Sequence, residues 1–427
     1  MTDLNKEIDR AIAQALFKNY PPFDYDAVFE NAIRPLGFTS WAEYTEKLGE
    51  TMEEGDEAMM EFIAPLNMEI VKLFPHLYDE EMAHEQNEQK AADHVKQYRE
   101  KFRIPQKMAI VNTKADNTRR KAKFENGISI QQLMLNDNGE TELVKMSVRE
   151  ADFIGDPQNP WSEADDRPVL NAVHAIRREG NNGFTIADVW RAMHHKKQTD
   201  EPTPQQAAAI RISVEKMRGI IIEYEAGIEA KKGSIFKNRK DLMLNLVSTK
   251  VRIGKYEVEY YEFQTTPICL LHAQDMKQII APSSSLLGMK KIGLNGKLQS
   301  KDAEITQEST ALKFEIIRRV ELMKSGAKGK NGIRSNKLSL LNYTSGGQVH
   351  EGLYTLAGHP ELSKPLPCIA DPKEKRKAHE ARAKLMARIR REIETILVNL
   401  TAKGEIKGWE SYSKEGEKRL AGYAIKL

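Results

Sequence analysis

Cysteine is almost missing. The 427 residues hold only Cys269 and Cys368, in unrelated surroundings. A disulfide framework or a zinc site needs a spaced set of cysteines, or of cysteines with histidines, so neither is expected. No apolar run approaches the ~20 residues of a membrane-spanning helix, so no membrane partner is expected. Asp3 and Glu7 stand where a secretory leader would be basic. These absences fit a soluble protein of a reducing, cytoplasmic compartment. Aromatics make up only 7% of the chain, yet aliphatic residues are frequent enough for real cores, and the length suits about two to four domains.

Familiar catalytic signatures are missing as well. His194 and His195 are adjacent, so on a helix they diverge and do not form the i, i+4 pair of a metal site. They also lack the His-hydrophobic-His order of rolling-circle nickases. Tyr256, Tyr260 and Tyr261 read better as strand residues than as nucleophiles. The Ala327-Lys-Gly-Lys-Asn-Gly run lacks the spacing and final Lys-Ser/Thr of a phosphate-cradling loop. No Gly-x-Ser-x-Gly occurs, the His-x-Glu with paired cysteines of deaminases is absent, and His84-Glu85 has no second histidine at the required offset. No enzyme, catalytic residue, metal or cofactor is expected.

What is present is a strong charge asymmetry beneath a net charge of only +3. Residues 41–100 carry 16 acids and 5 bases, a balance of −11, whereas residues 371–427 carry 9 acids and 15 bases, a balance of +6. An acidic N-terminal module and a basic C-terminal one follow. Within the first, residues 4–17 show helical spacing, further helical segments run to Leu73 with Pro65 and Pro75 as breaks, and residues 79–102 are polar nearly all round.

The pattern changes at Pro105. Met108–Val111, Ile128–Leu135 and Leu143–Val148 read as strands, with Asn138-Gly139 as a hairpin turn. Arg119, Arg120, Lys121 and Lys123 read as a solvated loop ahead of a phosphate contact. After a linker at 155–166, one helix places Pro168 at its first position, a second opens on a capping box at Thr185–Asp188, and a third opens on Thr203 and Pro204. A strand at Ile220–Tyr224, a loop with Lys231, Lys232, Lys237, Arg239 and Lys240, and a strand at Leu242–Val247 complete a three-helix unit with a wing. Val251–Phe263 reads as a further hairpin, and Gln264–Gly296 as irregular.

A helix around Leu312–Met323, a short one from Ile333 through Leu341 and a long glycine- and proline-punctuated stretch lead to Asp371–Leu427. There Leu385, Ile389, Ile393, Ile396 and Leu400 share one helical stripe, and Lys373, Lys377, Lys384, Arg388 and Arg391 share another. A hairpin with Lys414, Lys418 and Arg419 at its turn follows. Charge runs on helices are most often solvated faces. Sorted charge, an unbroken apolar stripe and a wing of fitting length together favour DNA contact. The residues expected to meet DNA are these eight, with Arg211, Arg218, Lys237 and Arg239 from the earlier unit.

The expected architecture is α+β and mainly helical: an acidic helical domain (1–104), a β-hairpin region (105–154), a first winged-helix module (165–263), a connector (264–309) and a second winged-helix module (310–427). Two winged helices in tandem, joined through extra hairpins, resemble the plasmid and phage replication initiators that bind repeated origin sites without cutting DNA. The stretches "TTPICLLHAQDMKQI" and "ALKFEIIRRVELMK" also look like segments of bacterial mobile-element proteins. The resemblance covers about residues 165–427. It implies duplex DNA as partner, the C-terminal helix in a major groove, and an N-terminal part serving self-association or a host replication protein. A transcription regulator and an assembly adaptor built on winged helices stay open as alternatives.

Overall fold

The computed structural model describes residues 30–54, 56–73, 90, 93–113, 116, 125, 128–134, 141–149, 154, 156, 160–224, 239–253, 256–293, 295–325, 336–345, 348–413 and 419–427. They form helices with small antiparallel sheets, an α+β architecture. The chain divides into two units, Met1–His94 and Val95–Leu427. The expected helix at 4–17, the Asn138-Gly139 turn and the Arg119–Lys123 cluster lie outside the described residues.

In the first unit a 3-10 turn, Arg34–Leu36, stops at Gly37, whose φ of 91° suits glycine. Helices α1 (Trp41–Glu54) and α2 (Asp56–Leu73) follow. Their core is small: Ala32, Ile33, Tyr44, Leu48 and Leu66 are buried. The Tyr44 ring stacks on Trp41 at 5.2 Å and on Phe62 at 5.0 Å between centroids. Proline at 65 does not end α2 as expected. Phe62 and Ile63 before it and Leu66 after it join the same core, so packing on both sides offsets the lost hydrogen bond.

In the second unit, helices α3 (Asp166–Arg178), α4 (Ile186–His194) and α5 (Pro204–Arg218) are set by their caps. Thr185 and Asp188 make a reciprocal capping box at α4, and Thr203 and Gln206 make one at α5. Between α3 and α4 lies β4 (Gly183–Thr185). It pairs with β8 (Tyr256–Phe263), which returns from β7 (Leu246–Ile253), giving the order β4-β8-β7. Leu170, Val173, Phe184, Val189, Val214 and Tyr261 pack inside.

Strand pairing differs from the sequence reading here. The segment β5 (Ile220–Tyr224) does not form the wing of this unit. It pairs with β3 (Thr141–Val148) and β6 (Arg239–Leu242) in a four-stranded sheet, β2-β3-β5-β6, whose β2 is Ile128–Met134. Alternate residues Ile220, Ile222 and Tyr224 face inward, opposite β3 partners such as Met146. The expected strand at Leu242–Val247 is interrupted, because Met243 and Leu244 turn fully into the core. The hairpin thought to follow the wing is therefore the wing-like hairpin.

The expected irregular connector is ordered in the main. Helix α6 (Ile268–Asp275) buries Ile268, Cys269, Leu270 and Ala273, and β9 (Ile279–Ile280) pairs with β1 (Ile110–Val111). A 3-10 turn (Ser284–Leu287) and the hairpin of β10 (Lys290–Ile292) and β11 (Leu298–Asp302) lead to α7 (Gln307–Lys324). The expected helix at 333–341 is a strand where it is described: β12 (Lys337–Ser339) buries Leu338 opposite Tyr423. Then come the hairpin β13 (Tyr343–Ser345) and β14 (Gln348–His350), the short helix α8 (Leu353–Leu356), and α9 (Pro372–Ala402). Strands β15 (Gly408–Ser413) and β16 (Leu420–Lys426) close the sheet β12-β16-β15.

The same order thus occurs twice: helix, short strand, two helices, hairpin, with the short strand paired to the last one. Gly422 permits the second closure. A Cβ there would sit 2.1 Å from the carbonyl oxygen of Leu338, so only glycine lets β16 approach β12.

Candidate nucleic-acid interface

The long helix α9 is built in two halves. Asp371 caps it by accepting from the Lys373 backbone N–H at 2.9 Å, with Pro372 at the first position. Thirty-one residues give an axis of roughly 46 Å. Burial begins at Ile389: Ile389, Ile393, Ile396, Leu397, Asn399 and Leu400 are the buried positions. The first half is exposed except for partial cover at a few residues, such as Arg382 and Leu385. Arg382 fixes that half to the rest of the unit by donating to the carbonyls of Leu362 at 2.8 Å and Lys364 at 2.6 Å.

The sequence-predicted stripe is thus brought together on one face. Lys373, Lys377, Lys384 and Arg391 are exposed and make no ion pair with a described residue. Lys375 is likewise exposed, but about 200° round the helix from Lys373 it stands on the opposite side. The 18 residue-to-residue steps from Lys373 to Arg391 span about 27 Å of axis, comparable to one turn of duplex DNA. Arg388 differs. Its guanidinium, 60% exposed, pairs with Glu308 on α7, and Glu308 is also contacted by His359 at 3.4 Å. Arg419 lies beside this helix, its Nη2 3.9 Å from the Met386 sulfur. Lys414 and Lys418 are outside the described residues.

No family model matches the chain, and no curated protein does. Solved structures with some likeness include a crystal structure of domains 2 and 3 of RctB, at 13% identity and a TM-score of 0.25, covering 54% of this chain and 92% of that one. A second, of RctB residues 155–483, gives 14% identity and a TM-score of 0.23, covering 52% and 88%. Likeness this weak carries no argument about fold or function.

The residues expected on the earlier unit are not gathered into a matching stripe. On α5, Arg211 pairs with Glu259 of β8 at 3.0 Å, and Arg218 pairs with Glu215 at 2.7 Å with its guanidinium 6.0 Å from the Tyr261 ring. Arg239 begins β6 opposite Tyr224, and Lys237 is outside the described residues. The outward face of α5 shows Gln205, Ala208, Ala209 and Ile212, with Ile212 53% exposed. Among the described residues no cluster of three metal-ligating side chains occurs, and no helix is long and apolar enough to cross a membrane.

Sequence reasoning missed Glu308 and the anchoring role of Arg382. Glu308 lies 80 residues before its partner Arg388, and no local pattern announces such a pair. Arg382 belongs to the basic run and carries no mark that its donors go to backbone carbonyls.

Proposed function

We propose that the protein binds duplex DNA through α9, with the exposed basic stripe laid along a groove and the β15–β16 hairpin on the adjacent backbone. The carrying observation is the row Lys373, Lys377, Lys384 and Arg391, exposed and without acidic partners among the described residues, on the side of the helix opposite an apolar row that is buried from Ile389 onward. Free lysines neutralise phosphates and release counterions. An arginine on a groove-facing helix pairs bidentately with guanine and reads sequence. What supports a winged-helix reading of both repeated segments is their element order and the pairing of the short strand with the last one.

The finer reading is an initiator of replication at repeated sites of a mobile element. It rests on the tandem order of the segments and on a separate acidic N-terminal unit, which we assign to a host replication protein or to self-association. A protein-contact role for the middle segment has its own support in the uncharged face of α5 around Ala208, Ala209 and Ile212. The test is a gel shift with duplex DNA at low salt. The parent protein should bind, and a variant with Lys373, Lys377, Lys384 and Arg391 all changed to Ala should lose most binding while keeping its fold. Absence of a shift with the parent would remove the DNA reading.

A further inference from the structure

A second group of cations lies away from the helix arm. A cavity of about 340 Å³ is walled by the C-terminal end of α4, the stretch 285–305, α7 and the later turns of α9. Five lysines line it, and two of them share one counter-ion: Asp302 accepts from Lys196 at 2.5 Å and from Lys290 at 2.7 Å. Lys313 and Lys403 have none. Lys313, only 4% exposed, donates to the Leu287 carbonyl at 3.3 Å and meets Nδ1 of His194 at 3.2 Å. Lys403 donates to the carbonyls of Ser285 at 2.7 Å and Gly288 at 2.5 Å. No carboxylate of a described residue stands within 4.0 Å of either ammonium.

His194 is itself buried, and burial followed by the nearby Lys313 and Lys196 holds its imidazole well below the ordinary range. The ring is therefore neutral, and Nδ1 serves as acceptor for Lys313 with the proton on Nε2. That leaves one ammonium hydrogen of Lys313 uncommitted. Lys403 has two carbonyl acceptors and the same spare donor.

A buried ammonium without a counter-ion is costly to a fold, and Lys313 is one, with the exposed Lys403 beside it at the same cavity. Packing gives no reason for Lys313, since methionine would fill its place without charge. A bound anion gives one, by supplying the missing charge and the missing acceptors. No arginine lines the cavity, so the planar fork that matches a carboxylate is absent, while separated point donors suit the several oxygens of phosphate groups. The volume exceeds what one phosphate fills and falls in the range of small-ligand sites. Asp200, Glu304 and Glu392 share the wall with Asp302. Burial, with Glu308 and Glu304 nearby, raises the Glu392 carboxyl and lessens its opposition to an anion.

We propose that this cavity is a binding site for a small phosphate-bearing anion, held by Lys313 and Lys403 with Lys196 and Lys290 beside them. The site is independent of the DNA reading: it uses none of the exposed residues of the first half of α9. Its occupant would touch α4 of the middle segment and α7 and α9 of the last, and so tie the two together.

The test is calorimetric titration of the full chain, at constant ionic strength and without divalent metal, using pyrophosphate, inorganic phosphate, ATP and adenosine. Pyrophosphate should bind saturably at one site. Lys313→Met and Lys403→Met should each weaken it at least tenfold, and Lys373→Ala should leave it unchanged. ATP binding as tightly as pyrophosphate assigns the phosphate chain of a nucleotide, and weaker ATP binding assigns a free oligophosphate. Adenosine should give no heat. Lys403 is at the surface, so its variant decides the matter even if Lys313→Met fails to fold. The proposal is overturned if neither pyrophosphate, phosphate nor ATP binds saturably, or if Lys403→Met binds like the parent.

Discussion

Replacing Lys313 by methionine should stabilise the protein, by an amount that depends on pH. Burial is the main cause that brings the Lys313 ammonium down from 10.5 to about 7, Lys196 and Lys403 add to it, and Glu392 opposes it. A fall of that size corresponds to roughly 5 kcal/mol against the charged form, a ceiling that relaxation reduces. Exchanging buried charges for apolar groups of like volume has gained about 1–4 kcal/mol elsewhere, and that is the gain expected here below about pH 7. The sign follows from proton counts. The folded value lies below the unfolded one, so between about pH 7 and pH 10.5 the unfolded chain binds more protons, and the stability of the parent rises with pH. Below that window both states carry the proton and the penalty is full. The advantage of Lys313→Met should therefore shrink by roughly 2 kcal/mol between about pH 7 and pH 9. Urea unfolding in phosphate-free buffer, followed by tryptophan fluorescence, measures it. Trp161, Trp190 and Trp409 lie in the second unit, against Trp41 in the first. A variant less stable than the parent at about pH 6.5, or an advantage that stays constant to about pH 9, would refute the reasoning.

Gly422→Ala should destabilise the last sheet by about 1–3 kcal/mol, because the new methyl meets the Leu338 carbonyl at 2.1 Å; a thermal melt matching the parent would contradict the β12–β16 pairing. Glu308→Gln should release Arg388 and raise DNA affinity a few-fold in a fluorescence anisotropy titration, while an unchanged affinity would mean that Arg388 does not meet DNA. A chain beginning at Val95 should fold and bind DNA as tightly as the whole protein, since Phe102 packs in the core of the second unit with Tyr98 against it. Loss of binding by that folded chain would place part of the DNA surface in residues 1–94.

The helix α9 was legible because one period governs both of its faces. Once Ile389, Ile393, Ile396 and Leu400 are buried, Lys373, Lys377, Lys384 and Arg391 have only the opposite side to occupy. The capping boxes at Thr185 and Thr203 were legible for a similar reason, since cap and partner are three residues apart. Strand partners were not. The run Ile220–Tyr224 shows its period of two but not that Met146 on β3 will sit opposite. Leu338 and Leu341 stand three apart and so imitate a helix, whereas the neighbourhood of Tyr423 makes the first of them a strand residue. The pairing of Arg388 with Glu308, and the approach of Lys313 to His194 across 119 positions, arise only when distant segments pack.

The central claim, that the free cations of α9 meet DNA phosphates, is tested most directly by the salt dependence of binding. Lys373, Lys377, Lys384 and Arg391 are exposed and without ion pairs among the described residues. If these four make phosphate contacts, log K against log salt should fall with a slope of about −3 to −4, steepening towards −6 if Lys414, Lys418 and Arg419 join them. Anisotropy titrations of a fluorescent duplex across a salt series give that slope for the parent and for the variant with Lys373, Lys377, Lys384 and Arg391 changed to Ala. The slope of the variant should be shallower by about 3 to 4, leaving only the share of the hairpin. Equal slopes for the two proteins, or no binding by the parent at the lowest salt, would contradict it.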